Sequence, residues 1–117
     1  MRERQGDIYW IEAAALRPGR AGVAHPHVVV QDDLLNGSRI PTVVVCSLTT
    51  RLAVAHEPGN VLLDVGEAGL PQQSAVVVSQ VCVVDRADLG AYVGRLGPER
   101  IAQIRAGMQF VQRLVSR

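Results

Sequence analysis

His25-Pro26-His27-Val28-Val29-Val30-Gln31-Asp32-Asp33 is followed, after a polar connection, by Pro41-Thr42-Val43-Val44-Val45-Cys46-Ser47-Leu48-Thr49-Thr50. Each stretch starts beside a proline, runs through three consecutive valines and ends in polar residues. Branching at Cβ restricts χ1 and costs little on a pleated strand, so both runs are expected as buried strands rather than short helices. Their middles then belong to the core, and their ends are where chemistry can sit. Pro26 suits the first residue or the edge of its strand, because it has no N–H to give to a ladder.

On the N-terminal side, Gly6-Asp7-Ile8-Tyr9-Trp10-Ile11-Glu12 mixes β-branched and aromatic residues as a strand does. Residues 13–24 have no period and contain Arg17-Pro18-Gly19-Arg20-Ala21-Gly22, which predicts a mobile loop with two arginines near its tip. Residues 32–40 read as a polar connection with room for a helical turn. Beyond the second run, Thr49-Thr50-Arg51 leads into an irregular piece through Gly59, then a short strand at 60–63 and a turn at 66–71. Residues 74–85 predict a long strand whose apolar run is interrupted at Ser79 and Gln80, as at a bend or an edge shared between sheets. A turn of helix at 86–89 and a weak strand at 92–96 follow.

Gly97-Pro98-Glu99 opens the one clear helix, since proline suits the first helical position and a carboxylate favours the first turn. Ile101, Ile104, Met108, Val111 and Val115 recur at spacings of three or four and give it one apolar face. Arg113 and Arg117 complement its C-terminal dipole, and Gly107 is a weak point in its middle. Five or six short strands with tight turns and one helix predict a mainly β fold with α. The expected architecture is an SH3-like barrel, a strongly bent antiparallel sheet with a C-terminal capping helix, in one domain over residues 1–117.

Composition bounds the function. A chain of 117 residues suits one core. The twelve basic residues are all arginine, and eleven carboxylates nearly balance them to a formal charge of +1, so no nucleic-acid footprint is written in net charge. Local arginine patches can still grip phosphate bidentately. The two cysteines, Cys46 and Cys82, sit in valine-rich runs and read as buried free thiols. No apolar stretch approaches the roughly 18 residues of a membrane span, and Met1-Arg2-Glu3-Arg4-Gln5 has no apolar core behind it, which predicts a cytoplasmic protein away from membranes. Asn36-Gly37-Ser38 matches a glycosylation acceptor but, without a secretory signal, reads as a turn.

The motifs form an ordered set that spans nearly the whole chain. Gly6-Asp7-Ile8-Tyr9-Trp10, residues 26–33, Asn36, Ser38-Arg39, residues 41–50, Pro58-Gly59-Asn60-Val61, residues 66–71, Ser79-Gln80-Val81 with Asp85-Arg86, and Gly94-Arg95-Leu96 together resemble the MazF/PemK (Kid) toxin family. The resemblance implies an SH3-like barrel homodimer that cleaves single-stranded RNA at short sequences and is neutralised by a cognate antitoxin, with DNA met only through that antitoxin. It also implies an enzyme working without metal or other cofactor. The ribose 2′-hydroxyl would be the nucleophile, leaving a 2′,3′-cyclic phosphate and a 5′-hydroxyl, so that DNA is spared.

Family members usually carry an arginine before the proline of the second strand and a threonine at the close of the third; those positions are His25 and Thr49. Arginine there can only hold phosphate, because it does not release its proton. Histidine, with an ordinary pKa of about 6.5, can exchange a proton with the 2′-hydroxyl or the leaving oxygen. Three functional readings of His25 stay open: acid or base, phosphate contact when protonated, or a mark of lost activity. The bland alternative is a half-exposed histidine beside a strand-start proline. His27 shares a face with His25 and is a candidate contact to base or phosphate. The pair could also hold a metal if His56 or a carboxylate supplied a third ligand, a weak signal.

Thr49 can donate to a phosphate oxygen, and Ser47 lies two residues earlier on the same face. Ser79 and Gln80 need polar contacts to repay burial, and the resemblance places them along the RNA groove. Arg17, Arg20 and Arg51 are candidate phosphate contacts, the first two as substitutes for the missing arginine. Few aromatics are present, so base reading would rest on backbone and polar groups rather than a stacking platform. Two other functions compete: a non-catalytic module that grips RNA or antitoxin, and a gyrase poison of the CcdB type, which uses an aromatic tail that Leu114-Val115-Ser116-Arg117 lacks.

Overall fold

The computed structural model describes residues 2–16 and 22–115. The two valine runs form neighbouring strands, β2 (His25–Val29) and β3 (Thr42–Thr49), within a six-stranded sheet. Around them stand β1 (Asp7–Ile11), β4 (Val61–Leu62), β5 (Ala75–Asp85) and β6 (Tyr92–Arg95), in the order β4-β5-β3-β2-β1-β6. Every pairing is antiparallel, and the sheet curls into the half-barrel expected of the fold. Among the described residues three α-helices accompany the sheet: α1 (Ala13–Leu16), α2 (Asp33–Asn36) and the long α3 (Pro98–Val115). Residues 13–16 therefore form a helical turn where a loop was expected, and Arg17 and Arg20 lie outside the described residues.

The uninterrupted valines reflect burial on both faces of the sheet. Val28 and Cys46 join Ile8, Val76, Val78 and Ile104 in a core under α3. Val29, Val43 and Val45 join Ile11 and Val84 in a second core on the opposite face, with Ala15 and Leu16 of α1 against it. Successive strand residues point to opposite faces, so only an apolar run can feed two cores at once. Val28, Val29, Val43 and Val45 are each at most 1% exposed, and burial of each contributes at most about 1.5–3 kcal/mol.

The acidic end of the first run serves structure. Asn36, buried in α2, donates from Nδ2 to the Gln31 carbonyl (2.9 Å) and to Asp33 Oδ1 (3.0 Å), and accepts from Gln31 Nε2 (2.9 Å). Asp32 caps α2 by accepting from the Leu34 N–H at 2.8 Å. The Gln5 N–H and the Asn36 amide hold the Asp33 carboxyl below the usual carboxylate range. The expectation that run ends carry chemistry therefore fails at this end.

Strand β5 bends where the apolar run is interrupted. Leu48 of β3 faces Val76, whereas Cys46 faces Val81, so the four residues 77–80 stand opposite Ser47 alone. The Cys46 thiol donates to the Val77 carbonyl at 2.9 Å inside this bulge, and burial pushes its pKa up to about 12. Cys82 pairs in register with Val45 rather than Cys46, and both thiols are free.

Helix α3 begins at Pro98 as expected, with Ile104 buried and Met108 and Val111 packed on the first core. Gly107 is no mere weakness. A Cβ there would lie 2.1 Å from the Gly59 carbonyl oxygen, so its absence lets helix and turn backbones meet. The turn after β4 is clasped to α3 by Arg100, whose Nε lies 2.9 Å from Glu67 Oε2, and this contact lowers the Glu67 pKa. Within that turn Ala68 takes a left-handed conformation (φ 56°), and its carbonyl oxygen crosses close over Gly94.

A Cβ on Gly94 would stand 1.9 Å from the Ala68 oxygen, which forces backbone to move. Gly94→Ala is expected to lower unfolding free energy by roughly 2–4 kcal/mol. Gly37→Ala, where the nearest atom to the new Cβ is 3.4 Å away, should change it by less than about 0.5 kcal/mol. Urea denaturation of the two variants checks both.

Candidate active site

The site is built where two ladders are interrupted at one end of the sheet. Trp10 donates its N–H to Ala91 and accepts from Gly90, so it is turned toward the β6 side, and Tyr9 and Ile11 face β2. In the register Ile11↔His25, Tyr9↔His27, the intervening Pro26 is then turned toward β3, where it has no N–H to offer. Pairing of β2 with β3 accordingly begins only at His27↔Ser47. The same register carried two residues further sets His25 opposite Thr49. Thr49 in turn pairs with Ala75 of β5, just beyond the bulge.

His25 is exposed and Thr49 half-buried. The Thr49 hydroxyl oxygen accepts from the Arg51 N–H at 3.1 Å, which leaves its proton free to be donated outward. Ser47 is half-buried, with only a long 3.5 Å contact to the Leu48 carbonyl. Arg51 is exposed directly after the threonine pair. Ser79 and Gln80 are exposed in the bulge opposite Ser47, which corrects the expectation that polar contacts must repay their burial. Their surroundings are steadied by Asn60, whose Nδ2 donates to the Val54 carbonyl (2.8 Å) and whose Oδ1 accepts from the Val78 N–H (3.1 Å). Asn60 thus stitches the 3-10 turn Leu52–His56 to the bend of β5; its place beside Pro58-Gly59 was the only signal in the sequence.

His27 departs from its expected role. It is 2% exposed, so its ring does not lie on the surface that a base or phosphate contact requires. Its Nδ1 lies 2.9 Å from the His25 carbonyl oxygen, and burial lowers its pKa. Among the described residues no three of His, Cys, Asp and Glu converge on a point that could hold a metal ion. His56 ends the 3-10 turn rather than joining the His25–His27 pair. A cavity of about 170 Å³ opens between α3 and the other end of β2, lined by residues 28–30, Ile104 and Met108, away from this site.

Residues 4–111 match the family model described as the PemK-like, MazF-like toxin of type II toxin-antitoxin systems. The chain belongs to the PemK/MazF-like toxin family. Among its PemK/MazF relatives, the endoribonuclease MazF6 of Mycobacterium tuberculosis is 29% identical over 107 residues, covering 92% of this chain and 94% of the relative. Endoribonuclease EndoA of Bacillus subtilis is 24% identical over 113 residues, 96% of each chain. A mycobacterial endoribonuclease solved with its cognate antitoxin superposes with a TM-score of 0.76 at 21% identity, over 96% of both chains. The MazE-MazF complex of Deinococcus radiodurans gives 0.74 at 16% identity, again over 96% of both. These likenesses establish the MazF fold. Among the described residues no helix is long and apolar enough to cross a membrane.

Burial of His27 has a consequence for stability. Its pKa is lowered from about 6.5, so below that pH the unfolded chain takes up a proton that the folded chain refuses. The contribution of His27 to stability is fully present only above about pH 6.5 and is expected to be lost as pH falls below it. Denaturant unfolding at pH 7.5 and 5.5 checks this, and His27→Leu should flatten the difference.

Proposed function

We propose that this chain is a metal-independent endoribonuclease toxin that cleaves single-stranded RNA at short sequences, with His25 and Thr49 at the scissile phosphate. What supports it is the register of β2 on β3, His27 opposite Ser47, which extended past Pro26 brings His25 toward Thr49, in a chain of the PemK/MazF family. The reaction needs no outside co-reactant. The 2′-oxygen bonds to the neighbouring phosphorus, the bond from phosphorus to the 5′-oxygen breaks, and the 2′-hydroxyl proton ends on that 5′-oxygen. His25 takes the first proton or supplies the second, and Thr49 donates its free hydroxyl proton to a phosphate oxygen. Arg51, Ser47, Ser79 and Gln80 lie around the same end of the sheet and serve as contacts to flanking nucleotides.

A homodimer and a cognate antitoxin, acting in the cytosol, complete this reading. Val81 and Val83 are exposed along β5 (43% and 62%), where among the described residues β4 covers only Ala75 and Val76, an apolar edge that suits a second copy. Relatives solved with antitoxin support an antitoxin partner here.

The test is incubation of purified protein with single-stranded RNA in the presence of a chelator, followed by analysis of fragment ends. Discrete fragments with 2′,3′-cyclic phosphate and 5′-hydroxyl ends are expected, and a substrate with a 2′-deoxy residue at the cleaved position should survive. Intact RNA at large protein excess would leave only a binding module. Thr49→Val should slow cleavage about a hundredfold, as loss of one donor to developing charge does. His25→Ala should cost roughly 10²–10⁴-fold, and His25→Arg should flatten the rate profile between about pH 5.5 and 8. An alanine variant with unchanged rate and profile removes His25 from the chemistry.

A further inference from the structure

We propose that His27 is a positioning residue for cleavage: its buried ring holds the main chain of His25 in line with Thr49, where Pro26 has opened the ladder. The proposal rests on the RNA-cleaving reading above. A carbonyl oxygen can only accept, so the 2.9 Å contact to the His25 carbonyl assigns the ring hydrogen of His27 to Nδ1 and makes that nitrogen the donor. Burial lowers the ring's pKa and so favours the neutral Nδ1–H tautomer, on the same face of β2 as the His25 side chain.

The need for this bond follows from the ladder. His25 takes a hydrogen-bonding position toward Ile11 of β1, and at the next residue, where β3 would bind, Pro26 brings no donor. The start of β2 is therefore tied on its β1 side, and the His27 ring supplies a second bond to the same His25 carbonyl from within its own strand. Across the strands His27 faces Tyr9 on β1 and Ser47 on β3, and His25 lies beside it on β2. Burial and the β1 carboxylates Asp7 and the nearby Glu3 raise the Tyr9 pKa, so Tyr9 is an uncharged neighbour at neutral pH. None of these three facing side chains brings a negative charge that would favour an imidazolium at position 27.

A satisfied core histidine would have the same burial, so the test must separate position from bulk. His27→Asn keeps an amide donor as far along the side chain as Nδ1, whereas His27→Leu keeps apolar volume and loses the donor. With single-stranded RNA, the leucine variant is expected to lose roughly ten- to hundredfold in kcat with KM little changed, the scale of a small misplacement of a reacting group. The asparagine variant should recover most of that loss. If His27→Leu does not fold, His27→Gln, whose amide is one methylene too long, takes its place. Wild-type kcat in the leucine or glutamine variant, or an asparagine variant no better than either, overturns the proposal.

A second readout needs no RNA. Long-range proton–nitrogen spectra of the three imidazoles at pH 7.5 should show one Nδ1–H tautomer that disappears in His27→Asn, and His25 ring signals displaced in the leucine variant but not in the asparagine one. An Nε2–H tautomer at His27, or His25 signals indifferent to both variants, overturns it. A wild-type protein that leaves RNA intact while showing these spectral changes refutes the cleavage reading and leaves the His27 contact established.

Discussion

A sheet buried on both faces constrains everything else in this molecule. Val28 and Val29 are neighbours in the chain but belong to different cores, one under α3 and one against α1, and so do Val45 and Cys46. No position in the middle of β2 or β3 can then hold a charged group without losing its hydration in exchange for little. Polar function is driven to the strand ends. Of the four ends, those at Gln31 and Thr42 are tied up by the hydrogen bonds among Gln31, Asp33, Asn36 and the Thr42 carbonyl, which leaves those at His25 and Thr49 for the proposed chemistry.

That end is shaped by two breaks in regular pairing. Pro26 stops the ladder between β2 and β3 because it has no N–H, and the bulge in β5 lets four residues bow out opposite Ser47. The first break leaves His25, at the start of β2, without a partner on β3. The second leaves Ser79 and Gln80 exposed opposite Ser47, while the Cys46 thiol satisfies a carbonyl inside the bend and Asn60 ties in the neighbouring turn. The proposed site is thus a local departure from regular sheet geometry, held in shape by the Cys46 thiol and the Asn60 amide.

Much of this was legible in the residues. The valine runs, the strand at 7–11, the interruption at Ser79-Gln80 and the start of α3 at Pro98 follow from branching, alternation and the missing proline N–H, all local properties of the chain. Motif order was enough for the family resemblance. Other features were misread because they depend on what approaches from elsewhere. Gly107 looked like a flaw in a helix until Gly59 came against it, and Ser79 and Gln80 looked buried because their neighbours are apolar. His27 looked like a surface ligand because alternation places it with His25, and alternation carries no information about what covers a face.

The chain by itself determined which segments are strands, where the helix begins, and that polar groups collect where the valine runs stop, since these rest on φ restriction, β-branching and residue spacing. Only the tertiary structure decided which of those polar groups are usable. Exposure, register and hydrogen-bond partners are long-range quantities: the same two-residue spacing that puts His25 and His27 on one face leaves the first open to solvent and encloses the second. The outcome turns on pairing with β1 and β3, and no reading of nine consecutive residues contains those partners.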